Sequence, residues 1–238
     1  MLMKNKFTSH LVKNKPGKKK YTWYTEEDMV ELYEFYGELF GDSYTNLHEI
    51  VSNDIHLDVV IYKPSISRQY WTLVTMGAGS HPMKTTMYDS GGCNRVELVM
   101  TLPMDWHLYL PGCDDVASTE RCYWPIRWLK DMGRVLISND SYLDEGHTME
   151  MADWKVKESQ SGFSSLLVIG PVIDSKSEPT YFQFSDGRRL RLLQVTPLYK
   201  EELNHKVNTT SDNLLNMFDL NWHVVTIGRP NMCLQKEQ

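Results

Sequence analysis

Two apolar runs, residues 181–184 and 190–195, flank Ser185-Asp186-Gly187-Arg188. An Asp-Gly pair between such runs supplies the positive-φ residue a tight turn needs, so this stretch predicts a β-hairpin and gives the fold an antiparallel component. Further strands follow from alternation and from apolar runs bounded by turn residues. Leu57, Val59 and Ile61 alternate with Asp58, Val60 and Tyr62 as far as Pro64, and residues 71–76 repeat the pattern, so these two are expected to pair. Val96, Leu98, Met100 and Leu102 share one face of a strand that Pro103 closes. Residues 163–169 read as a buried strand and 222–227 as a last one.

The helices carry start signals. Thr25 followed by Glu26, Glu27 and Asp28 opens one whose apolar face is Met29, Leu32, Tyr33, Tyr36, Leu39 and Phe40, with Gly41 as its stop. Pro125 stands where a helix begins without losing a needed N–H, and Ile126, Leu129, Met132, Gly133 and Leu136 recur on one face after it. Residues 197–206 and 211–218 read as two short helices, the second capped by Ser211. The stretch 105–120 reads as irregular, and an acidic loop runs from the Pro125 helix to about residue 160. Helices and strands are mixed without regular alternation or internal repeat. The expected class is therefore α+β, with a mixed, mostly antiparallel sheet flanked by helices.

Charge is divided unevenly. Seven of the 25 Lys and Arg lie in residues 1–20, which hold no acid, so the other 18 face all 31 Asp and Glu, a balance of −13. Residues 1–24 are read as a basic, flexible arm and 25–238 as one acidic domain. The arm carries no nucleic-acid-binding module, so only nonspecific contact with nucleic acid is open to it. The apolar runs fall short of the roughly 20 residues of a membrane span, and the first 20 residues lack the apolar core of a secretory signal. Cys93, Cys113, Cys122 and Cys233 form no Cys-x-x-Cys pair. A cytoplasmic protein with idle thiols is expected.

Catalytic signatures are missing. There is no Gly-x-Ser-x-Gly elbow, Gly-x-x-x-x-Gly-Lys loop or Gly-x-Gly-x-x-Gly turn. Gly77-Ala78-Gly79 follows a strand and leads through Pro82 to more loop, so it does not read as a phosphate cradle. His48-Glu49 starts like a zinc-protease motif, but Ser52 occupies the place of the second His. His56 and Asp58 point to one side of a strand, and with His81 or His147 brought near they could ligate a cation or act as base and orienting acid. A hydrogen-bonded structural pair is the commoner outcome of that spacing, so neither metal, cofactor nor catalytic residue is expected. Asp140, Asp144, Glu145 and Glu150 lie in a segment without Lys or Arg, near Trp106, Trp124, Tyr142 and Trp154. Acids beside aromatics suit a rim that attracts and anchors a basic protein, although the aromatics could equally be core.

The order of several fragments is similar to the suppressor of fused family. They are His56-Leu57-Asp58-Val59-Val60, Thr72-Leu73-Val74-Thr75-Met76-Gly77, Val96 through Pro103, and Trp124-Pro125 through Leu129 to Gly146-His147-Thr148. Leu193-Gln194-Val195, Leu198-Tyr199-Lys200-Glu201-Glu202-Leu203 and Arg229-Pro230 continue it, over about residues 56–232. The resemblance implies an α+β protein-interaction module. Animal members grip a peptide between this domain and a second one, whereas bacterial single-domain members are often immunity proteins or antitoxins. With its end at Gln238 the chain resembles the single-domain kind. The expected function is thus an immunity protein or antitoxin that binds a cognate basic toxin and blocks it sterically, with Tyr142, Asp144, Glu145 and His147 in the partner-binding patch. Two alternatives stay open: a regulator that sequesters a transcription factor or other signalling partner, and a metal-dependent enzyme using His56, Asp58 and His147.

Overall fold

Helix α1, Glu26–Phe40, begins where its capping residues place it. Thr25 Oγ1 accepts the Asp28 N–H at 3.1 Å and the Asp28 carboxylate accepts the Thr25 N–H at 3.0 Å, a reciprocal capping box. Gly41, at φ +83°, ends it. This is a computed structural model, and it describes residues 21–49, 55–84, 93–106, 116–172, 181–219 and 222–234.

The strands are β1 (Tyr44–Leu47), β2 (Asp58–Tyr62), β3 (Tyr70–Met76), β4 (Val96–Pro103), β5 (Thr148–Glu150), β6 (Ser165–Ile169), β7 (Tyr181–Gln183) and β8 (Arg189–Leu198). They form one sheet in the order β1-β2-β3-β4-β8-β6-β5, with β7 also paired to β8. Among these strands only β4 and β8 run parallel, so the sheet is mixed and mostly antiparallel. The β7–β8 hairpin turns as its Asp-Gly pair requires: Gly187 has φ +88° and donates its N–H to Phe184 O at 2.9 Å.

Both faces of the sheet are covered, which explains strands that are apolar at nearly every position. Val59, Ile61, Leu98 and Met100 face helix α2, Val116–Ser138, whose Trp124, Trp128, Leu129 and Met132 fill that side of the core. Val60, Tyr62, Val74 and Val99 face α1 through Leu32, Tyr36 and Phe40. Helices α4 (Lys200–Asn208) and α5 (Ser211–Leu215) contribute Leu203 and Leu214, which pack with Leu167, Ile169 and Leu198.

Several expectations need correction. Pro125 lies inside α2, not at its first position, and the helix already runs from Val116 through what read as irregular chain. Burial of Trp124, Ile126 and Trp128 around it outweighs the roughly 3 kcal/mol that an interior proline costs. The acidic stretch holds β5 and a further helix, α3, Asp153–Ser159. Pro197 belongs to β8, so the next helix starts only at Lys200, and Thr210, not Ser211, caps α5 by accepting the Asn213 N–H at 3.1 Å. Residues 222–227 form no strand. They make one parallel bridge, Thr101 to Val224, and Thr101 O accepts the Val225 N–H at 2.9 Å where β8 no longer pairs with β4.

Candidate partner-binding site

Helix α2 gives way at Asp140, whose φ is +48°, and the chain enters the loop that carries the four expected site residues. Asp144 is its hub. Its carboxylate accepts from the Tyr142 hydroxyl and from Arg191 on β8, and its Oδ1 also accepts the Glu145 N–H at 2.8 Å. The Asp144 N–H donates to His147 Nδ1 at 3.0 Å, and the Tyr142 and His147 rings meet edge to face at 5.4 Å. Burial pushes the Asp144 carboxyl up, but the bonds from Tyr142 and Arg191 outweigh it and hold the group below the usual carboxylate range. The loop is then tied to the sheet: Gly146 donates to Val168 O and Val168 to His147 O, both at 2.8 Å.

The structure therefore brings Tyr142, Asp144 and His147 into direct contact but divides the acids by role. Asp144 neutralises Arg191, whose side chain is 4% exposed, and Asp140 faces Lys84 at 3.1 Å and His81 at 3.3 Å. Glu145 and Glu150 remain exposed. Glu145 also lines a cleft of about 330 Å³ between this loop, Val168 to Gly170 at the end of β6, and Thr210 to Asp212 at the start of α5. Of the neighbouring aromatics, Trp124 is core and Trp106 donates to Cys122 O at 3.0 Å, whereas Trp154 on α3 is exposed. Sequence reasoning missed Arg191 and the α5 wall. An arginine between Leu190 and Leu192 in an apolar strand was the available signal.

His147 does not join His56 and Asp58, and His81 stands with Asp140. The third imidazole is that of His48. His48 Nδ1 and His56 Nε2 lie 2.8 and 2.9 Å from opposite oxygens of Asp58. The Asp58 hydrogen bond raises the His56 pKa, while burial pushes Asp58 up and the bonds from His56, the Glu49 N–H and His48 bring it below its ordinary value. Lys130 on α2 sits nearby, and burial lowers its pKa against the pull of Glu49 and Asp58.

Gly77-Ala78-Gly79 is a nest already filled. The Gly77, Ala78 and Gly79 N–H groups reach the Glu97 carboxylate at 2.9, 3.3 and 2.9 Å, joined by the Thr75 and Tyr24 hydroxyls. Burial dominates over these donors and raises the Glu97 pKa to about 7. Tyr24 belongs to residues 21–24, which the sequence assigned to the arm; here Thr22 Oγ1 also donates to Ser80 O at 2.6 Å. Residues 1–20 and Cys113 lie outside the described residues. Among the described residues Cys93, Cys122 and Cys233 form no disulfide, and no helix is long and apolar enough to cross a membrane.

Comparison with known proteins gives the fold a lineage. The family model described as suppressor of fused protein matches residues 53–230. A chain in the crystal structure of the Sufu–Fu complex superposes with a TM-score of 0.59 at 13% identity, covering 88% of this chain and 97% of that one. Drosophila Suppressor of Fused matches with a TM-score of 0.59 at 13% identity over 86% of this chain, which spans 51% of the Drosophila chain. A suppressor of fused homologue from Neisseria gonorrhoeae matches with a TM-score of 0.56 at 14% identity, covering 87% of this chain and 96% of that one. No curated protein sequence gives a significant match. The family match spans three quarters of the chain in the order its sequence fragments follow, and the chain belongs to the suppressor of fused family.

Proposed function

We propose that this chain is a protein-binding module of the immunity or antitoxin kind, acting in the cytoplasm by occupying the active surface of a cognate basic toxin. One observation carries the class: the chain shares its fold, over 97% of the other's length, with a chain solved in the Sufu–Fu complex, where suppressor of fused is found with a protein partner. The loop from Tyr142 to His147 supports the location. Asp144 and Arg191 hold it rigid, so Tyr142 and His147 are presented with little ordering cost on binding, and exposed Glu145 offers charge beside a cleft. A partner footprint on the order of 1,600 Å² of total buried surface would cover loop and cleft together. Exposed charge sets encounter rate, and the aromatic groups anchor.

Growth rescue tests the reading. Co-expression with the toxin encoded beside it should restore growth, and the two purified proteins should form a stable complex by light scattering. Continued toxicity with no complex would remove the immunity assignment.

A further inference from the structure

We propose that His48 Nδ1, His56 Nε2 and the Asp58 carboxylate form a site for one divalent transition-metal ion of the zinc type. Three groups from two stretches of chain converge: His48 follows β1, while His56 precedes β2 and Asp58 is its first residue. The ligand atoms all lie within 4.8 Å of one another. Nitrogens and oxygens bind zinc at about 2.0–2.2 Å, so two ligands of one ion stand at most roughly 4.4 Å apart. Closing from 4.8 Å takes a few tenths of an ångström, within reach of imidazoles whose side chains are 52% and 42% exposed. Two imidazoles and a carboxylate suit zinc, nickel or cobalt and disfavour calcium and magnesium, which prefer all-oxygen sites.

The carboxylate is held in place. Asp58 is 9% exposed in its side chain and its Oδ1 accepts the Glu49 N–H at 2.8 Å, while the Glu49 carboxylate is fixed by the Leu57 N–H at 3.0 Å and by Arg134. This is the outer support a ligating carboxylate needs. Among the described residues Glu49, Lys130 and Arg134 face the cluster, with the Trp23 ring edge-on to His56 at 6.1 Å. The two cations oppose a bound metal, and Glu49 and Asp58 offset them. Three protein donors leave a position for water. The ion would pin the chain after β1 to the start of β2, a role separate from the loop at Tyr142 and independent of the proposed partner.

The test uses the untagged full chain, stripped with a chelator and titrated with Zn2+ by calorimetry and with Co2+ by visible absorption. The expected result is one saturable Zn2+ per chain and cobalt bands of a nitrogen–oxygen site. His48→Gln and His56→Gln should each weaken Zn2+ binding by more than the about 10–100-fold that loss of an outer partner costs. His147→Gln should leave binding unchanged. Circular dichroism of the metal-free variants confirms that they fold, and His48→Gln, the more exposed position, decides if His56→Gln does not. No saturable binding, or binding that survives His48→Gln unchanged, overturns the site.

Discussion

Arg191 on β8 donates to the Asp144 carboxylate across 47 residues of sequence and joins the sheet to the loop that presents Tyr142 and His147. Neighbouring acids thereby do different work. Asp144→Ala removes the carboxylate that neutralises the buried Arg191 guanidinium, and we predict a stability loss of about 1–3 kcal/mol. Glu145→Ala, at an exposed position, should change stability by no more than about 0.5 kcal/mol. Urea denaturation of the two variants checks the split; equal losses would show that Asp144 does not fasten the loop.

Glu97 gives a pH signature. Its carboxyl is raised to about 7 in the folded chain, against an ordinary value of 4.5, so the folded state binds this proton more tightly than the unfolded state. The resulting stability is fully present below about pH 4.5 and is lost as pH rises through about 7, a change on the order of 3 kcal/mol. Glutamine mimics the protonated acid and does not titrate. The stability of the wild type minus that of Glu97→Gln should therefore fall across this window. A difference that stays level or rises between pH 5 and 8 would contradict the assignment.

Arg229 and Glu202 form a two-pronged ion pair, Nη1 to Oε1 and Nη2 to Oε2, each at 2.6 Å, with Glu202 fully buried. The same guanidinium lies over the rings of Phe163, Tyr199 and Phe218. Arg229→Ala should cost about 3–5 kcal/mol because it strands a buried carboxylate. Arg229→Lys should recover only part, since a point charge lacks both the fork and the stacking plane. Thermal unfolding of the pair measures this, and a lysine variant as stable as the wild type would show that charge alone matters.

Gly77 has φ +128°, and a Cβ there would stand 2.7 Å from the His56 carbonyl oxygen. Gly77→Ala strains the backbone and displaces an N–H that holds Glu97, so a loss above about 2 kcal/mol is expected. Gly187→Ala, with a similar positive φ but open space around it, should cost less. Comparing their denaturation midpoints separates crowding from conformation.

What could be read from the sequence was what is encoded locally. Thr25 with Asp28, and Asp186 with Gly187, act within a few residues, so the first helix and the hairpin were visible at once. Family resemblance added the order of the remaining elements. Pro125 misled because its start preference is local while the burial that carries α2 through it is tertiary. β1 escaped notice as four residues with little apolar pattern, and residues 222–227 looked like a strand although only the end of β4 beyond its pairing with β8 is there to bridge to them. In the candidate site, the chemistry of Tyr142, Asp144, Glu145 and His147 was legible as composition. The partner of Asp144 was not, because nothing in local spacing points to Arg191. His48 was set aside for failing a helical motif, yet it meets Asp58 through the pairing of β1 with β2.

The central claim is that the chain acts by occupying a protein partner through the loop that Asp144 secures. Its most direct test is the association rate constant with the cognate toxin, measured by stopped flow at low and high salt for the wild type and for Glu145→Lys. The account predicts a slower association for the variant and a shallower dependence on salt, with stability unchanged. Identical rates and identical salt dependence would place the interface elsewhere, and no association at all would contradict the account.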